Sequence, residues 1–188
     1  MKTKIALFFI LIVTFSNAQK SCEYSSNVKD SLGTYKATKD YIVQEKIFGG
    51  KESRIYFSLE NVDGMPNLKI QTIQKSMDFI QTNCFNKDSK VYFQLSNGKI
   101  VTLIHVNQEN CGTMVRDEKG FNNRINTGYF MFLKNTFEIL KSSPITLMRI
   151  KYSTETQDFV FKSELISEID SKTYYPDTYF IEYLKCIE

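Results

Sequence analysis

Tryptophan is absent from this 188-residue sequence, proline occurs three times and histidine once. No block of like charge runs beyond two or three side chains, so nucleic acid is not the implied partner. Calcium-loop spacing, a phosphate-cradling glycine loop and a dinucleotide fingerprint are all missing, and no cofactor or metal site is expected. The lack of tryptophan weighs against a carbohydrate-stacking platform. A lone histidine needs a nucleophile and an orienting acid to serve as a general base, and no serine motif or reactive thiol presents itself. Internal repeats, low-complexity tracts and linkers are also missing. What is there is a chain with 42% apolar and 14% aromatic residues, enough to bury a core in a single domain.

The chain opens Met1-Lys2-Thr3-Lys4, continues with an apolar run from Ile5 to Phe15 and reaches Ser16-Asn17-Ala18-Gln19. Two lysines, a short apolar stretch and small residues before the cut predict a signal peptide over residues 1–18, cleaved after Ala18. The run falls short of the roughly 20 residues that span a bilayer. Lipidation at Cys22 would place Lys20 inside the lipobox, where small residues belong. Cleavage removes Lys2 and Lys4 from the 24 basic residues and none of the 21 acidic ones, leaving a net charge of +1. No second long apolar segment follows, so the mature chain, residues 19–188, is expected as a secreted or periplasmic domain with no membrane span.

All four cysteines lie in that mature part, and an oxidising compartment favours their pairing. Four cysteines allow three pairings, of which Cys84–Cys111 and Cys22–Cys186 are preferred. The first rests on the stretch Lys90-Val-Tyr-Phe-Gln-Leu-Ser-Asn97-Gly98-Lys-Ile-Val-Thr-Leu-Ile-His-Val106, two alternating runs around Asn-Gly. A type I′ turn needs positive φ at both central residues, which Asn-Gly supplies. That turn pairs Leu95 with Ile100, Phe93 with Thr102, Val91 with Ile104, and, further out, Cys84 with Cys111. Lys90, Tyr92, Gln94 and His105 then share the mixed, solvent-facing side. The same register puts Cys84 in a hydrogen-bonded pair, which suits a cross-strand bridge poorly. Cys22–Cys186 would clamp the two ends of the domain together. A zinc site made by all four thiolates is the rival, and paired C-x-x-C spacing is missing.

Residues 19–32 read as a polar lead-in. Strands are expected over Thr34–Thr38, Tyr41–Phe48, Arg54–Glu60, Leu68–Ile73 and Met77–Thr82, with Gly49-Gly50 and Asp63-Gly64 as turns. After the Asn-Gly hairpin, Asn107–Asn126 is the longest polar interval and a candidate contact loop. Thr127–Leu133 reads as a buried strand. Asn135 is placed to cap a helix over Thr136–Lys141 that Pro144 ends. Ile145–Tyr152 and Gln157–Phe161 form a third hairpin. Ser163–Ser171 carries a weaker helical pattern, and Asp177 is placed to cap a C-terminal helix with Phe180, Ile181, Leu184 and Ile187 on its apolar side.

Candidates for chemistry are sparse. His105 reads as a surface-strand residue first and a catalytic or metal-binding one second. Glu164 and Glu168 would share a helix face, Asp117 and Glu118 are adjacent in the polar interval, and Asp63 precedes a turn glycine. Any such pair is open to glycoside hydrolysis, though flanking lysines suit a solvated face better. Tyr174, Tyr175, Tyr179, Phe180 and Tyr183 form a dense aromatic group that either contacts a ligand or packs the last helix on the sheet, the second being favoured.

The leader ending Ser16-Asn-Ala-Gln19, the Tyr92–Leu103 hairpin and Ser143-Pro-Ile-Thr-Leu-Met-Arg-Ile150 together resemble small exported proteins of Bacteroidetes-type bacteria. The resemblance implies a periplasmic or secreted address, no particular activity, and no catalytic residue to carry over. The expected fold is α+β, mainly antiparallel β, with hairpins in one sheet or sandwich, a C-terminal helix packed on it and disulfide staples. The expected function is an exported, non-enzymatic binding or interaction domain for an unknown protein or small ligand of the envelope or outside. The alternative is a secreted hydrolase using His105 or a carboxylate pair, and a weaker third is a carrier with an apolar cavity inside a closed sheet.

Overall fold

In the computed structural model, residues 20–31, 33–106 and 108–188 are described. The expected signal peptide and its cleavage site lie outside them. Eleven strands form one antiparallel sheet: β1 (Tyr24–Asp30), β2 (Gly33–Thr38), β3 (Tyr41–Phe48), β4 (Lys51–Val62), β5 (Met65–Ser76), β6 (Lys90–Leu95), β7 (Ile100–His105), β8 (Thr113–Arg116), β9 (Asn122–Met131), β10 (Ile145–Lys151) and β11 (Thr156–Val160). A two-residue pair, β12 (Leu165–Ile166) with β13 (Thr173–Tyr174), stands apart. Helix α1 covers Thr136–Lys141 and α2 covers Tyr179–Tyr183. The mainly antiparallel β fold with a short C-terminal helix and two disulfides is therefore as the residues predicted.

The main path runs β1-β2-β4-β5-β9-β7-β6-β10-β11, with β3 on the β4 edge and β8 on the β9 edge. The sheet curls on itself. Phe57 of β4 meets Phe93 of β6 edge to face at 5.9 Å, although three strands separate them in the sheet. Gln44 Nε2 of β3 donates to the Val160 carbonyl of β11 at 2.6 Å, joining the two margins of the curl. Alternating side chains fill the inside: Phe57, Leu59, Leu68, Ile70, Val91, Phe93, Leu103, Phe130, Met148 and Ile150 are fully buried. Phe180 from α2 closes one end, with its ring against Phe57, Phe93 and Phe132.

Both disulfides form as paired above, Cys22–Cys186 and Cys84–Cys111. The hairpin register between them needs correction. β6 and β7 pair Val91 with Leu103 and Phe93 with Val101, one residue away from the expected partners. The turn is not type I′: Gly98 N–H donates to Leu95 O and Leu95 N–H to Lys99 O, closing a three-residue loop. Gly98 alone is left-handed, at φ 81°, as in a type I turn followed by a bulge glycine. A one-residue slip turns one strand over relative to the other. His105 consequently joins Val101 and Leu103 inside and is 6% exposed, where a solvent-facing position was expected. The chain regains the lost residue further out. Phe85 and Asn110 exchange both backbone hydrogen bonds, so Cys84 and Cys111 form the adjacent, non-hydrogen-bonded pair that accepts a bridge.

Four element assignments also change. The polar lead-in contains β1, an edge strand whose side chains are mostly exposed. Met77–Thr82 is not a strand, because the Ser76 hydroxyl accepts Asp78 N–H and turns the chain. Ser163–Ser171 is not a helix: Leu165 and Ser167 are buried two apart, and Glu45 accepts Glu168 N–H from across the fold. The C-terminal helix is only the five residues of α2 between two 3-10 turns, with no side-chain cap from Asp177. Tyr179, Phe180, Leu184 and Ile187 are buried there while Ile181 is 40% exposed, so the apolar side takes in Tyr179 in place of Ile181. Asn135 likewise makes no capping hydrogen bond to α1, and Thr136 Oγ1 bonds the Leu133 carbonyl.

Candidate functional site

The Cys22–Cys186 disulfide brings the start of the described chain against the 3-10 turn that follows α2, and a cleft of about 510 Å³ opens nearby. Its aromatic walls come from three separate segments. Tyr41 begins β3, Tyr174 lies in β13, and Tyr179 and Tyr183 belong to α2. Tyr41 is the hub, with ring centroids 4.9 Å from Tyr174, 5.1 Å from Tyr179 and 5.2 Å from Tyr183. Its hydroxyl accepts Tyr175 N–H at 2.7 Å, and Tyr174 donates to Asp170 at 2.7 Å. Burial raises the pKa of Tyr41, Tyr174, Tyr179 and Tyr183, so these rings stay neutral hydrogen-bonding groups. The buried Tyr179 hydroxyl has Thr38 as its polar neighbour, whose Oγ1 also accepts Leu59 N–H at 2.9 Å.

Charges at the rim are paired. Lys39 holds Glu23 at 2.9 Å, Lys69 holds Asp40 at 3.1 Å and Lys20 holds Glu182 at 2.7 Å. The hydrogen bond from Lys39 keeps the Glu23 carboxyl below the usual range. Of the aromatic group read from the sequence, Phe180 is core, as favoured, Tyr179 is buried at the base of the cleft, and Tyr174 and Tyr183 line its more open part. Tyr41 escaped the sequence reading because only tertiary packing brings it to the other rings.

His105 stacks against Phe85 at 5.5 Å and meets Phe130 at 5.3 Å, with neither ring nitrogen completing a hydrogen bond. Burial lowers its pKa, opposed only by the nearby Asn86 backbone. The carboxylate candidates are dispersed. Glu164 and Glu168 are exposed and share no helix. Asp117 Oδ1 accepts Lys119 and Phe121 N–H as a turn residue, and Asp63 accepts Thr34 N–H at φ 52°. Cys84, Cys111 and Glu109 approach one another within 4.8 Å, but both sulfurs are committed to the disulfide. The polar interval Asn107–Asn126 is largely a ribbon: β8 pairs with the start of β9 and Asp117–Phe121 turns between them.

Inside the curled sheet the side chains change character along the axis. Rungs in register across β4, β5 and β9 read Leu59/Leu68/Phe130, Phe57/Ile70/Gly128, Ile55/Thr72/Asn126 and Ser53/Gln74/Arg124. The apolar interior therefore ends in a polar layer, opposite the end that Phe180 closes. The cavity there is only about 20 Å³, because side chains fill the rest. Alternation in Asn122–Met131 was the available signal for Arg124, which takes an inward-facing position; the polar interval around it concealed that. No family model, curated protein or solved structure matches the chain.

Proposed function

We propose that the chain is an exported, non-enzymatic binding module that receives a small polar ligand in the tyrosine-lined cleft. The observation that carries this reading is the convergence of Tyr41, Tyr174, Tyr179 and Tyr183 from three segments on one recess of about 510 Å³, within the range of small-ligand sites. Tyrosines give a large contact area at low entropic cost, and paired charges of both signs at the rim favour a polar or zwitterionic guest. The bridge between Cys22 and Cys186 keeps the walls in place before the guest arrives, which lowers the cost of binding. Export is supported by the leader pattern, by two disulfides, and by the finding that no described helix is long and apolar enough to cross a membrane. A hydrolase would need His105 or a carboxylate pair beside a reacting bond, and the placements above offer no observation in its favour.

The test is NMR of the mature protein against free amino acids, short peptides and monosaccharides. Shifts clustered at Tyr41, Tyr174 and Tyr183, and lost in Tyr183→Ala with the fold intact, are expected. Shifts confined to the β8–β9 ribbon, or none across the panel, would overturn the assignment of the cleft.

A further inference from the structure

Arg124 is 8% exposed and projects inward from β9, yet no carboxylate pairs with it among the described residues. Its Nη1 donates to the Cys111 carbonyl at 3.3 Å, Nη2 contacts Met114 Sδ at 3.6 Å, and Nε has no partner. A guanidinium does not shed its proton, so burial cannot neutralise it as it would a lysine. Glu52 of β4 and Asp117 of the β8–β9 turn are committed elsewhere, Glu52 to Arg54 at 2.8 Å and Asp117 to Lys75 at 3.4 Å. A buried charge without a counter-charge is unfavourable by several kcal/mol. Something other than this chain's acids must offset it.

The rest of the polar layer is suited to that task. Ser53 and Gln74 bring a hydroxyl and an amide to the same cavity, none of whose lining residues is acidic, while Thr72 Oγ1 donates to the Asn126 carbonyl at 3.5 Å, Gln157 Nε2 donates to Glu155 at 2.5 Å, and Asn126 Oδ1 is buried without a partner. Asn83 also lines it, with its buried Oδ1 unpartnered; rotating that amide exchanges the oxygen for an NH₂ donor. The volume of about 20 Å³ holds one small guest and excludes a polyatomic organic acid. We infer that this layer is a binding site for a single chloride-sized monovalent anion, with Arg124 as its counter-charge. The site is separate from the tyrosine cleft, and its bound anion would secure Arg124, and through it the Cys111 carbonyl, at the polar end of the sheet.

Gln74 supplies an internal control, because β5 and β9 place it directly opposite Arg124. Gln74→Glu puts a carboxylate where the anion would sit. Thermal melts are compared in sodium chloride and in sodium gluconate at equal ionic strength, gluconate being too large for the cavity. The wild type is expected to show a chloride-specific rise in Tm that saturates. Arg124→Gln should lose that saturating rise, and Gln74→Glu should lose it while melting at or above the wild type in gluconate. Gln74→Glu keeps the test decisive if Arg124→Gln does not fold. A wild-type Tm with no saturating chloride response, or an equal response in Gln74→Glu, would overturn the inference.

Discussion

Phe85 lies almost parallel to His105, with ring planes 21° apart and centroids separated by 5.5 Å. Burial of an imidazole against two aromatic rings favours its neutral form. Burial depresses its folded-state pKa below the ordinary value of 6.5. The unfolded chain therefore binds a proton more readily, and acid favours unfolding. Stability should be complete above about pH 6.5 and should decline as pH falls from there through the lower folded-state value. His105→Leu removes the titrating group. Its Tm should lose less than that of the wild type between pH 7.5 and pH 5, and parallel losses in the two proteins would refute the neutral buried ring.

The turn makes a sharper demand on Gly98 than on Asn97. Only Gly98 is left-handed, and a Cβ built there meets nothing within 4 Å, so the cost of a substitution is conformational. Gly98→Val should destabilise by about 1–2 kcal/mol. Asn97→Ala loses the hydrogen bond that Lys99 N–H makes to Oδ1, at a cost of under about 1 kcal/mol. Denaturant midpoints for the two variants check this. A comparable cost for Asn97→Val and Gly98→Val would restore the type I′ turn.

Alternation located β6 and β7, and Asn-Gly located the turn between them. The choice between a two-residue and a three-residue loop depends on whether one residue or two must turn left-handed, and Asn-Gly satisfies both. The disulfide partners survived the error because the chain recovers one residue before Phe85 and Asn110 pair. His105 did not survive it, since its face changes with every single-residue slip. The tyrosine cleft was less legible still. Tyr41 and Tyr183 are distant in sequence, and nothing local marks their meeting.

The two bridges should differ in worth. Closing the long loop between Cys22 and Cys186 restricts the unfolded chain by about 5 kcal/mol on chain-entropy arithmetic, against about 3.5 kcal/mol for Cys84–Cys111, both as upper estimates. Guanidinium unfolding of the two paired serine variants should reproduce that order. The Cys22→Ser, Cys186→Ser protein should also loosen the cleft, because only the Lys20–Glu182 ion pair and the Tyr24 hydroxyl on the Cys186 carbonyl would then hold the first described residues to the C-terminal segment. A larger loss from the Cys84, Cys111 pair would mean that the inner staple supports the polar end of the sheet beyond its entropic share.

Glu60 is a carboxyl that sequence alternation leaves on the outer side of β4, yet it is 7% exposed, between Ala37 of β2 and Asn67 of β5. Burial raises its pKa above the ordinary 4.5, partly offset by a hydrogen bond from Tyr35 and by Lys69. For an acid the sign is opposite to that of His105. Here the folded state holds the proton more tightly, so the contribution to stability is present below about pH 4.5 and is lost as pH rises through the folded-state value. Glu60→Gln keeps a carbonyl to accept from Tyr35 and removes the charge. It should melt above the wild type at pH 7, with the difference shrinking towards pH 4. A variant that melts lower at pH 7 would show that the ionised carboxylate, through Lys69, stabilises this part of the sheet, and that its burial is offset in full.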